Sequence, residues 1–154
     1  MADYEIIRKY GDLLGYSLKP PYTLSEIEEY EECLGNKLPE KLREYLLYVS
    51  REIIGPDCNI NEFKLDLDIG TCTLPEDTRE APEDYEYSLK LPGSVLLGFI
   101  CDAHYYSMVV RGTNFGTEWY HDDEFLQDCY RFYNELDFFD RLKKRALDSL
   151  KEIV

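Results

Sequence analysis

The first fifty residues place apolar side chains at helical spacing. In residues 3–14 they recur every three or four positions, which predicts a helix that ends near Gly15. Ile27, Tyr30 and Leu34 form the buried stripe of a second predicted helix. Ser25 with Glu28 has the spacing of a capping box at its start, and Thr23 with Glu26 offers a competing one.

A third helix follows at once. Gly35 suits the left-handed position that ends the second helix, and Pro39 suits the first turn of the next. The stripe of this third helix is Leu42, Tyr45, Leu46 and Val49. The connecting turn is so short that the two helices must lie side by side.

From residue 55 the period changes from helix to strand. Apolar and charged residues alternate over 62–69, which predicts a half-buried strand. Residues 73–93 are rich in proline and acidic residues, so we expect a surface loop. The apolar run 95–100 suits a central strand. Residues 105–110 and 115–120 predict a hairpin with its turn at 111–114.

The chain returns to helical spacing after Asp122 or Asp123, either of which suits a helix cap. We therefore expect a C-terminal helical region over 123–154, with a bend near Asp137. Its apolar stripe is Phe125, Cys129, Phe132, Leu136 and Phe139. Helices, then antiparallel strands, then helix predict one α+β domain over 1–154, with helices packed on an antiparallel sheet.

Charge limits the classes of partner. The chain of 154 residues has a formal net charge of −15. The last fourteen residues carry five basic and two acidic side chains, so the first 140 carry −18. Such a field repels phosphate and anionic lipid, so we expect neither nucleic acid nor membrane as a partner. It favours a basic protein partner or metal ions, or it serves solubility alone.

Cysteine and histidine content argues against a cofactor. The five cysteines are dispersed and odd in number, and there are only two histidines. We expect free thiols in a reducing compartment, the cytoplasm or nucleus, with no disulfide, metal or cofactor. The opening residues lack the apolar stretch of a signal peptide. No phosphate-binding loop or nucleophile–base signature occurs, so we expect no enzyme.

Three segments carry a family resemblance. The most specific is LSEIEEYEECLGNKLPEKLREYL at 24–46; the later ones are LGFICD at 97–102 and GTEWYHDD at 116–123. They resemble the SUKH superfamily, which includes Knr/Smi-like fungal cell-wall regulators, bacterial immunity proteins and proteins of large DNA viruses. Together they span about 23–125. Members commonly carry Asn-Gly-Gly after the second family helix, where this chain has VSREI at 49–53. A surface built on that turn is therefore not carried over.

The resemblance implies an α+β fold without catalytic activity that binds protein. We expect the contact surface to combine carboxylates with tyrosines, of which the chain has 14. The candidate residues are Asp102, Tyr105, Tyr106, Glu118, Tyr120, Asp122 and Asp123, together with the acidic loop 76–86. The role is regulation or scaffolding, as in a eukaryote or a virus, or immunity against a basic toxin; the alternative is that the charge only keeps a structural scaffold in solution. The oligomeric state stays open.

Overall fold

The computed structural model describes residues 2–16, 18–54, 60–81, 91–101, 104–122, 128–131 and 136–152. Over these residues the chain forms four helices and six strands. In chain order they are α1 (Ala2–Leu13), α2 (Leu24–Leu34), α3 (Glu40–Tyr48), β1 (Glu52–Ile54), β2 (Ile60–Glu62), β3 (Ser94–Cys101), β4 (His104–Val109), β5 (Glu118–Asp122), β6 (Asp128–Arg131) and α4 (Phe138–Lys151). The predicted α+β class is confirmed.

The helices α2 and α3 begin and end where local chemistry favours it. Of the two predicted capping boxes, the one that forms is Thr23 with Glu26, in which each side chain accepts from the other's backbone N–H. Gly35 ends α2 in the left-handed conformation, with φ of 91°. Pro39 lies one position earlier than predicted, at the N-cap of α3.

The strands form two antiparallel sheets. β1 pairs with β2, and the larger sheet has the order β3-β4-β5-β6. Its strands follow one another along the chain, and each pairs with the next. The predicted hairpin is confirmed as β4 and β5, although β5 begins at Glu118 rather than at residue 115.

The helices pack on one face of the larger sheet and create the main core. Tyr106 and Met108 of β4 lie in the same buried cluster as Leu42 of α3 and Phe138 and Leu142 of α4. The stripe predicted for α3 is fully buried, since Leu42, Tyr45, Leu46 and Val49 have no exposed surface. Side chains alternate between the faces of a strand, so the neighbours of Tyr106 point the other way.

That opposite face carries a second, smaller core. Val109, Trp119 and Cys129 come from β4, β5 and β6, and residues from the segment before β3 cover them. Those covering residues are Cys72, Leu74 and Leu91, with Ala81 packed beside them. Both faces of the sheet are therefore covered, one by helices and one by an irregular segment.

The strand predicted over 62–69 is wrong beyond residue 62. Its first residue ends β2, Phe63 still donates its N–H to the Arg51 carbonyl at 2.8 Å, and the chain then runs into a turn at 67–69. The Asp66 carboxylate accepts from the backbone N–H of Asp68 at 2.9 Å, and Tyr30 donates to the Asp66 carbonyl. These bonds give the backbone partners outside a sheet, which is how short acidic side chains end strands.

The apolar run 95–100 belongs to β3, which lies at one end of the four-stranded sheet rather than in its centre. The strand β3 also contacts β1 and β2. Val95 and Leu97 are buried in the main core together with Ile53 and Ile54 of β1.

The helical prediction for 123–154 is wrong for its first part. Residues 128–131 form β6, and Tyr130 pairs with Tyr120 of β5. The helix begins only at Phe138, where Asp137 caps it by accepting from the backbone N–H of Asp140 at 2.8 Å. Asp137 is therefore the start of a helix rather than a bend within one. Phe125 and Phe132 lie outside the described residues.

Candidate protein-interaction surface

The residues that the sequence predicted for partner contact differ in their exposure. Tyr105, Tyr106 and Glu118 are buried, with 9%, 7% and 7% of their surface exposed. Tyr120 is half-buried and packs against the main core. Asp122 ends β5, but its side chain lies outside the described part. Asp102 and Asp123 also lie outside the described residues.

Glu118 connects β5 to α4 through its carboxylate. Its carboxylate accepts from the backbone N–H of Phe138 and forms an ion pair with Arg141, at 2.9 Å between Oε2 and Nη2. Burial raises the pKa of this carboxyl, although the N–H donor and the guanidinium both act in the opposite direction. A buried, paired carboxylate that holds α4 on the sheet does not form part of an exposed acidic rim.

The tyrosines form a row across the sheet. Tyr106, Tyr120 and Tyr130 stand opposite one another on β4, β5 and β6. Their ring centroids are 5.6 Å and 5.1 Å apart, and Phe138 of α4 lies 6.1 Å from Tyr106. The row runs from the core to the surface, because Tyr130 is 40% exposed. Sequence reasoning missed Tyr130, since it assigned the residue to a helix.

The acidic loop predicted at 76–86 contributes exposed carboxylates. Within the described part of the loop, Glu76, Asp77 and Glu80 are exposed. The remaining acidic residues of this loop, 83, 84 and 86, lie outside the described residues. Asp77 adopts a positive φ of 66°, which is uncommon for a residue with a side chain. We use "acidic segment" for residues 76–80.

The turn between β4 and β5 fixes the start of the acidic segment. The buried side chain of Asn114 donates to the carbonyls of Leu74 and Pro75, at 3.0 and 3.2 Å. Its backbone N–H donates to the Glu76 carboxylate at 3.3 Å. Thr113 adds a bond from Oγ1 to the Leu74 carbonyl at 2.6 Å. The turn also displays Phe115, which is 48% exposed.

The end of the acidic segment is fixed to the sheet. Ala81 donates its N–H to the Cys129 carbonyl at 2.8 Å, and Arg131 donates to the Arg79 carbonyl at 2.7 Å. Glu80 and Tyr130 face each other between these bonds. The carboxylates are therefore held on a segment whose backbone is anchored at both ends.

A second region with exposed carboxylates lies on α2. Glu28, Glu29 and Glu32 are exposed there. A cavity of about 450 Å³ lies at the C-terminal end of this helix, and Lys37 and Arg43 share its lining with the glutamates. Arg43 is paired with the buried Glu31 at 3.1 Å. Lys37 and Arg43 therefore place positive charge beside the glutamates of α2, as the exposed Arg79 does within the acidic segment.

The buried thiol of Cys129 is poorly reactive. Burial raises the pKa of the Cys129 thiol to about 12, which keeps it protonated at neutral pH. His121 is buried beside it on β5, with its ring 6.0 Å from that of Tyr105. Among the described residues, no group of three or more His, Cys, Asp or Glu side chains has the arrangement of a metal site.

Comparison with other proteins adds no relative. No protein-family model, curated protein or solved structure matches the chain. In the described part of the chain, no helix is both long and apolar enough to cross a membrane.

Proposed function

We propose that the chain is a non-enzymatic protein-binding domain of the SUKH type, and that its partner is a basic protein. The observation that carries the proposal is the acidic segment, whose three exposed carboxylates stand on a backbone anchored to the β4–β5 turn and to β6. A charged surface that is already ordered loses little conformational freedom on binding.

Support for the family comes from the α2–α3 pair. The family resemblance is most specific over residues 24–46, and these residues form two adjacent helices with Gly35 as the left-handed stop. The antiparallel sheet that follows agrees with the α+β fold which the resemblance implies. The departure at 49–53 lies where α3 ends and β1 begins, so a partner surface at that turn is not part of the proposal.

Exposed carboxylates act mainly on the rate of encounter. Charges at the rim of an interface steer a basic partner and accelerate association, and this effect weakens when salt screens it beyond about 8–10 Å. A regulatory or scaffolding protein and an immunity protein both use such a surface. They differ in the consequence of binding, since an immunity protein abolishes the activity of its partner.

The test compares two variants of equal charge. Glu76→Gln, Asp77→Asn and Glu80→Gln together change the net charge from −15 to −12, as do Glu28→Gln, Glu29→Gln and Glu32→Gln on α2. Gln keeps an acceptor for the Asn114 N–H, and Asn tolerates the positive φ of residue 77. Partners from the source cells are captured on the wild-type chain and identified, and association rates are then measured with the purified partner.

We expect the first variant to slow association severalfold and the α2 variant to leave it nearly unchanged. Raising the salt concentration should slow the wild-type chain toward the rate of the first variant. A partner that is not basic, or a rate that is insensitive to salt and to both variants, would contradict the proposal. The charge would then serve solubility alone.

A further inference from the structure

The cavity at the C-terminal end of α2 is lined by charges of both signs. Its volume of about 450 Å³ lies in the range of sites that hold small molecules. The helix α2 contributes Glu28 and Glu32, which are exposed. Lys37, from the turn after α2, and Arg43, from α3, supply the positive charges. A ligand that fills this cavity must therefore itself carry both signs of charge.

The guanidinium of Arg43 is held in place from one side. Its Nε donates to both carboxylate oxygens of Glu31, at 3.1 and 3.2 Å. Glu31 is only 7% exposed, and its Oε2 also accepts from the backbone N–H of Leu38 at 2.7 Å. Among the described residues, no group accepts from the terminal nitrogens Nη1 and Nη2 of Arg43. These N–H donors suit the two oxygens of a ligand carboxylate.

The turn that carries Lys37 is fixed by its neighbours. The Asn36 side chain donates to the carbonyls of Lys37 and Val110, at 2.9 and 2.8 Å. Gly35 enters this turn in the left-handed conformation that ends α2. The Lys37 ammonium is exposed and has no partner within the described part of the chain. It therefore adds a second, uncompensated cation to the lining of the cavity.

The glutamates of α2 favour cationic groups in the same cavity. Glu28 and Glu32 are four residues apart on one face of the helix, a spacing at which like charges repel. The C-terminal end of a helix also carries a negative partial charge. With Glu31, three carboxylates face two cations, so the lining has a net charge of −1.

We propose that this cavity binds a free basic amino acid, lysine or arginine. The α-carboxylate lies against Arg43 and Lys37, and the two cationic groups lie toward Glu28 and Glu32. One negative and two positive groups neutralise the net charge of the lining. A simple diamine leaves Arg43 and Lys37 without an anion, and an acidic amino acid places a further carboxylate against the glutamates. The site is separate from the acidic segment and does not depend on a basic protein partner.

The ligand test uses lysine and three analogues that each lack one charged group. Cadaverine lacks the carboxylate, ε-aminocaproate lacks the α-ammonium, and norleucine lacks the ε-ammonium. Binding is followed by nuclear magnetic resonance, from the shifts of the backbone amides of Lys37 and Leu38. We expect cadaverine to bind about tenfold more weakly than lysine, because it loses the contact with the partly buried Arg43. The other two should bind about threefold more weakly, since exposed ion pairs contribute less.

Variants of the lining locate the ligand within the cavity. Lys37→Gln should weaken lysine binding and leave cadaverine binding unchanged or stronger, whereas Glu32→Gln should weaken both. Arg43→Lys keeps a positive charge for the buried Glu31 but loses the paired donors, so it should also weaken lysine more than cadaverine. Glu29→Gln is the control, because Glu29 is exposed on the same helix and does not line the cavity. Thermal unfolding establishes that each variant is folded.

Three results would overturn the proposal. One is the lack of a saturable shift at Lys37 and Leu38 with lysine at about 10 mM, a concentration that detects even weak binding. Another is cadaverine that binds as tightly as lysine, which would make the cavity a site for cations alone. The third is a control variant, Glu29→Gln, that weakens binding as much as Glu32→Gln does. None of these results bears on the acidic segment, whose own variants test it separately.

Discussion

Glu118 of β5 and Arg141 of α4 form a buried ion pair that ties the last helix to the sheet. Their side chains are 7% and 14% exposed, and the pair measures 2.9 Å. The other carboxylate oxygen of Glu118 accepts from the backbone N–H of Phe138, in the first turn of α4. One side chain therefore satisfies an otherwise unpaired helix donor and a buried guanidinium.

Removal of this carboxylate should destabilise the fold strongly. Glu118→Ala leaves Arg141 buried without its carboxylate and the Phe138 N–H without an acceptor, so we expect a loss of about 3–5 kcal/mol in the free energy of unfolding. Lys41→Ala is the control, since Lys41 is 46% exposed and pairs with Asp137 and Asp140 at the surface. Its cost should be about 0–1 kcal/mol. Urea denaturation measures both, and equal costs would contradict the prediction.

The pKa of Glu118 gives the pH dependence a definite sign. Burial raises this pKa in the folded protein above the ordinary value of 4.5. The folded state therefore binds the proton more tightly than the unfolded state does. The contribution of Glu118 to stability is full below pH 4.5 and is lost as the pH rises through the raised value.

The difference in unfolding free energy between wild type and Glu118→Gln isolates this contribution from other groups. We expect it to decline with rising pH above 4.5 and then to level off. Asp137 acts in the opposite sense. Burial alone would raise its pKa, but Lys41 and the backbone N–H of Asp140 together lower it below its ordinary value. Its contribution is lost as the pH falls through the lowered value. A difference curve for Glu118→Gln that rises with pH would show that the Arg141 pair outweighs burial.

Two glycines of the β4–β5 turn should respond differently to the same substitution. Gly112 and Gly116 have φ of 100° and 80°, so alanine is strained at both by about 1–2 kcal/mol. A Cβ at Gly112 would also lie 2.2 Å from the Cys72 carbonyl oxygen, whereas a Cβ at Gly116 meets nothing within 4 Å. Gly112→Ala should therefore cost clearly more stability than Gly116→Ala. Equal shifts in the urea midpoint would indicate that residues 71–73 move aside easily.

Local sequence patterns predicted α2 and α3 because the residues that specify each helix lie close together in the sequence. The Thr23–Glu26 box, Gly35 and the stripe of α3 each depend on neighbours three or four positions away. The hairpin of β4 and β5 was predictable for the same reason. The sequence offered two capping boxes, and only the structure shows that Thr23 rather than Ser25 caps α2.

The failures depend on contacts that are distant along the chain. Residues 128–131 carry a helical spacing, but pairing with β5 and with residues 79–81 makes them a strand. Glu118 looked like a surface acid because its partners, Phe138 and Arg141, follow it by 20 and 23 residues. Of the predicted contact residues, the structure buries Tyr105, Tyr106 and Glu118, while Glu76, Asp77 and Glu80 of the acidic loop are exposed, as its composition predicted.

The last prediction concerns the thiols. Cys33 is exposed on α2, whereas Cys72 and Cys129 are buried in the second core. Because the pKa of Cys129 is raised to about 12, the reactive thiolate is nearly absent at neutral pH. Iodoacetamide should therefore label Cys33 within the folded protein and reach Cys72 and Cys129 only on unfolding. Mass spectrometry of peptides gives the rate at each site, and Cys33→Ser supplies the control. Labelling of Cys129 in the folded chain as fast as Cys33 would mean that the segment covering the second core opens readily.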